Sequence, residues 1–420
     1  MSKLRVAHII TQLEVGGAQR NTLYTIANLN REQYEPFLIC GLGGILTLET
    51  KQGNWPTYFV QYLARPVHPL KDTLAFIELY RRLREIKPHI VHTHSSKAGI
   101  LGRLAAYFAG VPVIIHTFHG FGFTPKQKPF VRRFFIKLEK TCARLSTHLI
   151  FVSEANRSEA KQLGIGRNVP NSLIRSGIQM NPGLTSDPAS LQDYERRQVS
   201  RPGGIRRKEP VRIRKKFEIP EDAWVVAYVG NFKPQKNPMD LARTAAIVLQ
   251  KNPEIHFILV GDGELRPSVT SWVQERQIQN RVHFLKWKLR RNDVERIFTD
   301  SNCFLLTSLW EGLPRSLVEA FAACKPAVAY GVDGVRDILQ NEINGFQIPP
   351  GNVDLAAEKI LWLADNKQKA IEMGQNGRRL ILKEFDIDTM VRQQEILYQE
   401  LYEAVPLKSY YEPLWSNPSK

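Results

Sequence analysis

Short apolar runs rich in β-branched residues alternate with longer stretches whose apolar positions recur every three or four residues, and this alternation fills most of the chain. In the first half the runs are Arg5–Ile10, Pro36–Cys40, Tyr58–Gln61, Ile90–Thr93, Val113–His116 and His148–Val152. Helical spacing lies between them, as over Leu74–Ile86 and Gly99–Phe108. Apolar strands separated by amphipathic helices predict repeated βαβ units around a parallel sheet. A second series begins at Trp224–Gly230 and continues through His256–Gly261, Val282–Leu285, Cys303–Thr307 and Ala327–Tyr330, and helical segments close the chain from about Val353 to Leu401. Between the series the pattern stops, and residues 181–216 fill with turn residues such as Asn181-Pro182-Gly183 and Arg201-Pro202-Gly203-Gly204. The prediction is an α/β protein of two doubly wound domains facing each other across a cleft. The first spans 1–180 and the second 221–385, joined by a basic linker over 181–220. A closing helix and tail over 386–420 could return to the first domain. In such sheets ligands bind at the carboxyl ends of the strands.

The 420 residues suit two domains, and 43% hydrophobic with 24% charged residues excludes a mostly disordered chain. The formal charge of +17 is unevenly placed. Residues 1–180 hold 24 basic and 10 acidic side chains, residues 181–220 hold 10 and 5, and the rest hold 24 and 26. One half therefore meets an anionic surface: membrane lipid, nucleic acid or a phosphorylated substrate. The start, Met1-Ser2-Lys3-Leu4-Arg5, carries no secretory pattern, and no apolar run approaches the ~18–20 residues of a bilayer span. The four cysteines, Cys40, Cys142, Cys303 and Cys324, lie far apart without Cys-x-x-Cys spacing. Reduced thiols in a cytoplasmic protein are expected.

Three segments after strands could carry chemistry. In Glu14-Val15-Gly16-Gly17-Ala18-Gln19 paired glycines between a strand and a helix let backbone N–H groups approach an anion, although taken alone these residues read more readily as a plain tight turn. In Trp310-Glu311-Gly312-Leu313-Pro314-Arg315, Glu311 precedes a helix that Pro314 helps to start, and Glu319 lies one to two turns inside it. Such carboxylates can accept from sugar hydroxyls; acidic residues near a helix start are also favoured by its dipole. In Gly230-Asn231-Phe232-Lys233-Pro234-Gln235-Lys236 a lysine could clamp phosphate or stand in a solvated turn.

Taken in order, these segments resemble the retaining glycosyltransferases of family 4, which have the GT-B fold of two Rossmann-like domains. The Glu-x7-Glu pair Glu311…Glu319 before Ala320-Phe321-Ala322-Ala323 is the most specific match, beside Gly16-Gly17-Ala18, the segment to Lys236, Val260-Gly261-Asp262-Gly263-Glu264-Leu265 and Asn344-Gly345-Phe346. The resemblance covers about 4–180 and 220–403. It implies transfer of a sugar from a nucleotide-diphosphate donor, UDP more than GDP, with Gly16 and Gly17 approaching the pyrophosphate and acceptor. Lys236 and the neighbouring Asn231, where many relatives have Arg, would meet the diphosphate. Glu311 would hold sugar hydroxyls, the Gly312, Leu313 and Pro314 backbone sugar and phosphate, and Glu319 the ribose. His119, in Thr117-Phe118-His119-Gly120-Phe121, would position donor and acceptor. No cofactor and no metal are implied; Asp386-Ile387-Asp388 reads as helix capping, and His92, His94, His116 and His119 as polar lining rather than a zinc site.

After His119, the segment with Lys126, Lys128, Phe130, Arg132, Arg133, Phe134 and Lys137 mixes cations with aromatics at helical spacing. Part of it can be core, but a basic aromatic helix suits the headgroup region of an anionic membrane. His94-Ser95-Ser96-Lys97-Ala98-Gly99 resembles the subgroup that builds bacterial surface polysaccharides on polyprenyl-diphosphate carriers, which implies a lipid-linked acceptor and a peripheral place at the inner face of the plasma membrane. The linker adds ten cations between Arg196 and Lys216. Against this stand an inactive GT-B protein that binds nucleic acid or membrane by charge, and a GT-B-fold isomerase. No nucleic-acid-binding signature is present, so no specific nucleic-acid partner is expected.

Overall fold

A computed structural model describes residues 3–14, 16–123, 127–179, 213–286 and 291–405. The chain divides into two compact units, Met1–Gly177 with Ile387–Lys420, and Ile178–Asp386.

The first unit holds seven parallel strands: β1 (Leu4–Ile10), β2 (Tyr34–Gly41), β3 (Thr57–Val60), β4 (Ile90–His94), β5 (Val113–Phe118), β6 (His148–Phe151) and β7 (Asn171–Leu173). Their order is β3-β2-β1-β4-β5-β6-β7, so the winding reverses between β1 and β4. β4 and β5 are buried at every position, as strands covered by helices on both faces must be. The helices follow local rules. Ser153 caps the Glu154–Leu163 helix by accepting from the Asn156 N–H, and Gly110 and Gly164 end helices in the left-handed region.

The last helix, Ile387–Glu403, belongs to this unit. Ile387, Met390, Val391, Leu397 and Tyr398 pack with Val6, Ile90, Val113 and Ile115. The Tyr24 hydroxyl donates to Asp388 Oδ1 at 2.6 Å and that of Tyr34 to the Glu395 carbonyl at 3.0 Å. Asp388 thus ties two helices together. Where the chain passes between units its two crossings touch. A Cβ on Gly177 would stand 2.4 Å from the Ile387 Cα, so only glycine fits, and the Gly177 N–H reaches Met390 Sδ at 3.5 Å. One residue on, Ile178 and Asp386 form a parallel bridge within the second unit.

The second unit holds six parallel strands: β8 (Val225–Val229), β9 (His256–Val260), β10 (Val282–Leu285), β11 (Cys303–Leu306), β12 (Ala327–Tyr330) and β13 (Gly345–Ile348). Their order is β10-β9-β8-β11-β12-β13, and the winding reverses between β8 and β11. β8, β9, β11 and β12 are buried throughout. Most of the segment expected as linker lies outside the described residues. Its described end, the Ile213–Lys216 helix, belongs to the second unit, where Ile213 is buried and donates its N–H to Asp300 Oδ2 at 3.2 Å.

Candidate active site

The switch between β8 and β11 is where a doubly wound sheet opens a crevice for a ligand. The loop after β8 carries Asn231 and Lys236, and the loop after β11 carries Glu311–Pro314. Hydrogen bonds zip the two together. Thr307 Oγ1 donates to the carbonyls of Lys236 and Asn237, each at 3.1 Å. The Leu309 N–H donates to the Gln235 carbonyl at 2.8 Å, and Gln235 Nε2 to the Trp310 carbonyl at 2.9 Å. The Lys236 ammonium pairs with Glu311 Oε1, and both side chains are largely buried, at 17% and 6% exposure. A carboxylate so withdrawn from water needs a charged partner, and the lysine provides it.

Asp333 and Gly334, after β12, complete the seat. Asp333 Oδ2 accepts from the Glu311 N–H at 3.0 Å, and the Gly334 N–H donates to the Glu311 carbonyl at 3.2 Å. A Cβ on Gly334 would lie 1.8 Å from the Gly312 carbonyl oxygen, so a side chain there would push the Glu311–Pro314 loop out of place. Burial raises the Asp333 carboxyl above its ordinary range, opposed by the bond from the Glu311 amide. Leu313 is half-buried, and Pro314 stands immediately before the Arg315–Ala322 helix. Its leading N–H groups therefore open toward the Gly312–Pro314 turn. Glu319 sits on that helix, and its Oε1 accepts from Arg315 Nε at 2.8 Å. Asn231 offers its carbonyl to the Tyr228 hydroxyl at 3.1 Å.

In the first unit the equivalent switch lies between β1 and β4. Gly16 and Gly17 lead into the Gly17–Asn28 helix without a side-chain cap, and Val15 lies outside the described residues. The neighbouring turn is drawn in by Thr11, whose Oγ1 stands 2.7 Å from Ser95 Oγ and accepts the Ala98 N–H at 3.2 Å. Ser95 has a φ of 61°, a left-handed conformation that this network holds in place.

Behind the turn lie the histidines. His8 on β1 pairs with His92 on β4, and His94 with Thr117 on β5. His94 stands 3.2 Å from His8 through Nε2 and 3.3 Å from His119 through Nδ1. His92 bonds the Tyr398 hydroxyl at 2.6 Å and Thr117 Oγ1 at 2.7 Å, while His116 turns to Thr93 at 2.9 Å. Desolvation lowers the pKa of His8 to about 3 and of His119 to about 4, and holds His92, His94 and His116 well below the ordinary value. All five rings are neutral at pH 7. Among the described residues His8, His92 and His94 are the one group whose ligand atoms gather closely enough for a metal, within 4.8 Å. Both nitrogens of His92 and of His94 are hydrogen-bonded within this network.

The basic segment forms the Pro129–Ala143 helix, and Lys126 lies outside the described residues. Phe130 and Phe134 are 69% and 60% exposed, and Arg133 and Lys137 share their face at helical spacing. Lys128 is exposed just before the helix, and Arg132 is half-buried over the Phe123 ring at 5.7 Å. The opposite face is anchored by Glu139, which meets buried Arg103 at 2.6 Å. The two phenylalanines are therefore surface rather than core. No helix among the described residues is long and apolar enough to cross a membrane.

The structure thus brings Lys236 to Glu311 in one unit and places His119 and the Gly16-Gly17 turn in the other. Gln235 lay within the segment quoted to Lys236 without a role of its own; Asp333, Gly334, His8 and Tyr398 were not anticipated. Only Gly334 left a trace, as a glycine just beyond a strand, in a loop that no motif marks.

Comparison with known proteins bears on this geometry. A family model described as Glycosyltransferase Family 4 matches residues 15–178, and one described as Glycosyl transferases group 1 matches residues 211–380. The chain is 31% identical over 403 residues to the Escherichia coli UDP-Gal:alpha-D-GlcNAc-diphosphoundecaprenol alpha-1,3-galactosyltransferase, covering 95% of this chain and 98% of that one. It is 22% identical over 353 residues to the Staphylococcus aureus capsular polysaccharide biosynthesis glycosyltransferase CapM, covering 83% and 87%. Among solved structures, Anabaena HepE in complex with UDP and glucose aligns at a TM-score of 0.77 with 20% identity, covering 94% of this chain and 100% of that one, a likeness of fold.

Proposed function

The chain belongs to the family 4 glycosyltransferases of the GT-B fold, and from that membership we propose that it moves a sugar from a UDP-sugar donor to a lipid-linked acceptor, with retention at the anomeric carbon, in the assembly of a surface polysaccharide. The observation that carries the reading is the zipped Lys236–Glu311 pair at the switch point of the second sheet. As the glycosidic bond breaks, negative charge gathers on the departing diphosphate. Lys236 and the N–H groups opening from the Arg315–Ala322 helix stabilise that charge at fixed positions, which needs no reorganisation during the reaction. Glu311, released from Lys236 as the phosphate takes over the ammonium, accepts hydrogen bonds from the transferred sugar. Glu319 takes the ribose, and Asn231 borders the phosphates without adding a cation. Gly16, Gly17 and His119 serve the substrates from the first unit.

These fixed dipoles and the lysine do the work of a divalent cation, so the reaction proceeds without one and without a cofactor. The acceptor assignment is supported by the lipid-diphosphate substrate in the name of the Escherichia coli relative. The membrane reading is supported by the Pro129–Ala143 face, where Phe130 and Phe134 enter the headgroup region and Arg133 and Lys137 meet anionic lipid on its cytoplasmic side. The test incubates the protein with a panel of nucleotide sugars and short polyprenyl-diphosphate sugars, with products read by mass spectrometry. A single added sugar from a UDP donor, undiminished by EDTA, is expected. No mass gain from any donor, or a strict metal requirement, overturns the reading.

A further inference from the structure

Five histidines crowd the carboxyl edge of the first sheet, and the proposed reaction uses one of them. The others are not independent core residues. His8, His94 and His119 form an unbroken line of ring-to-ring hydrogen bonds, His8 Nδ1 to His94 Nε2 at 3.2 Å and His94 Nδ1 to His119 Nε2 at 3.3 Å. A neutral imidazole carries one proton, so each ring can donate at one nitrogen only and must accept at the other. The proton positions along the line are therefore coupled, and only two arrangements satisfy both bonds. Either every ring donates toward His119, or every ring donates toward His8.

The inner end decides between them. His8 Nε2 is buried without a hydrogen-bond partner among the described residues. If the line ran inward, His8 would strand an N–H there; if it runs outward, it leaves a lone pair. Buried N–H groups without an acceptor are the rarer of the two in folded proteins. The outward arrangement puts the His8 proton on Nδ1 and the His94 proton on Nδ1. His119 Nε2 then accepts, and the His119 proton resides on Nδ1. Burial keeps the rings uncharged, which is what makes the coupling strict.

We propose that His94, backed by His8, is a positioning residue that holds His119 in its Nδ1–H tautomer, so that this half-buried ring presents a hydrogen-bond donor to a substrate oxygen, a sugar hydroxyl or a phosphate. The proposal rests on the reading that His119 meets substrate. His92 is set apart from the line: its ring is fixed by Tyr398 and Thr117.

Imidazole 15N chemical shifts of the full chain, labelled at histidine, report the tautomer of His119 without reference to activity. The wild type is expected to show His119 protonated at Nδ1, and His94→Phe and His8→Phe to move it toward the Nε2–H form. His94→Phe should also lower turnover roughly 10-fold or more, the scale on which outer partners of a functional histidine act. His94→Asn, which restores an amide where Nδ1 stood, should recover a large part of it. An Nε2–H signature for His119 in the wild type, or a tautomer unmoved by His94→Phe, overturns the relay. Turnover unaffected by His119→Ala overturns instead the reading on which it rests, and the nitrogen spectra keep the two failures apart.

Discussion

The two units share a strand order and differ in how they make their carboxyl edges polar. The second places a lysine against a carboxylate and seats both on loops tied by backbone hydrogen bonds. In the first, the ion pairs beside the switch, Lys97 with Asp72 at 2.6 Å and Arg65 with Glu14 at 2.7 Å, tie the strand-end segments to neighbouring elements. At the strand ends it buries neutral histidines and hydroxyls, and Arg133 and Lys137 stand on the outer face of the Pro129–Ala143 helix. The same scaffold thus centres its carboxyl edge on a buried lysine–carboxylate pair in one unit and on hydrogen-bonded histidines in the other. On the proposed function the difference fits the tasks: a departing diphosphate needs fixed positive charge, whereas an uncharged hydroxyl needs oriented donors and acceptors.

Acid should separate the units most strongly. Seven histidines of the first unit, His8, His89, His92, His94, His116, His119 and His148, are lowered by desolvation, against His256 and His283 in the second. A histidine with a depressed folded pKa binds its proton first in the unfolded chain, so its contribution is complete above about pH 6.5 and is lost as the pH falls. Each such site removes up to about 1.4 kcal/mol per pH unit below that value. Asp300 and Asp333, raised by burial, act in the opposite sense within the second unit. Hydrogen exchange followed from pH 7 to pH 4 should find the first unit opening well ahead of the second; simultaneous opening would contradict the contrast.

A smaller, local effect is expected at the charged edge. Lys236→Ala and Glu311→Ala should each lower turnover by at least ~10²-fold, the loss of one important transition-state contact, in steady-state assays with a UDP-sugar. Near-wild-type rates in both would remove the second unit's charged pair from the chemistry.

The weakest effect lies at the surface. Replacing Arg133 and Lys137 by Gln should weaken binding to vesicles containing phosphatidylglycerol by about 1 kcal/mol per cation, and Phe130→Ser with Phe134→Ser should weaken it further. Sedimentation with vesicles reads the change, and the melting temperature should barely move because these side chains stand in solvent. Unchanged binding in all four would leave the basic half without its membrane role.

The placement of Lys236 and Glu311 in the second unit was readable because each segment follows an uninterrupted apolar strand, and the strand's end tells where the side chains must be. Asp333 and Gly334 were not, since their role comes from a fold contact with Glu311 more than 20 residues away. β7 is three residues long, too short for a period to register. His8 was hidden inside Val6-Ala7-His8-Ile9-Ile10, where it reads as one polar residue in a core strand. Its meaning depends on His94, 86 positions on, and that of His92 on Tyr398, 306 positions on. The cation-rich helix was visible, but whether its phenylalanines face core or solvent was decided only by Glu139 turning inward to Arg103.

The touching crossings at Gly177 and Ile387 make the second unit a guest inserted at one point of a host. The host's own ends meet there, so its sheet and closing helix could in principle be rejoined across the gap with the guest cut out. A chain shortened before Ile387 would fare differently: it would keep every strand of the host and lose the hydroxyl that holds His92. The second unit can therefore be exchanged as a cassette, whereas the first, with its linked histidines, has to be inherited together with the last helix of the chain.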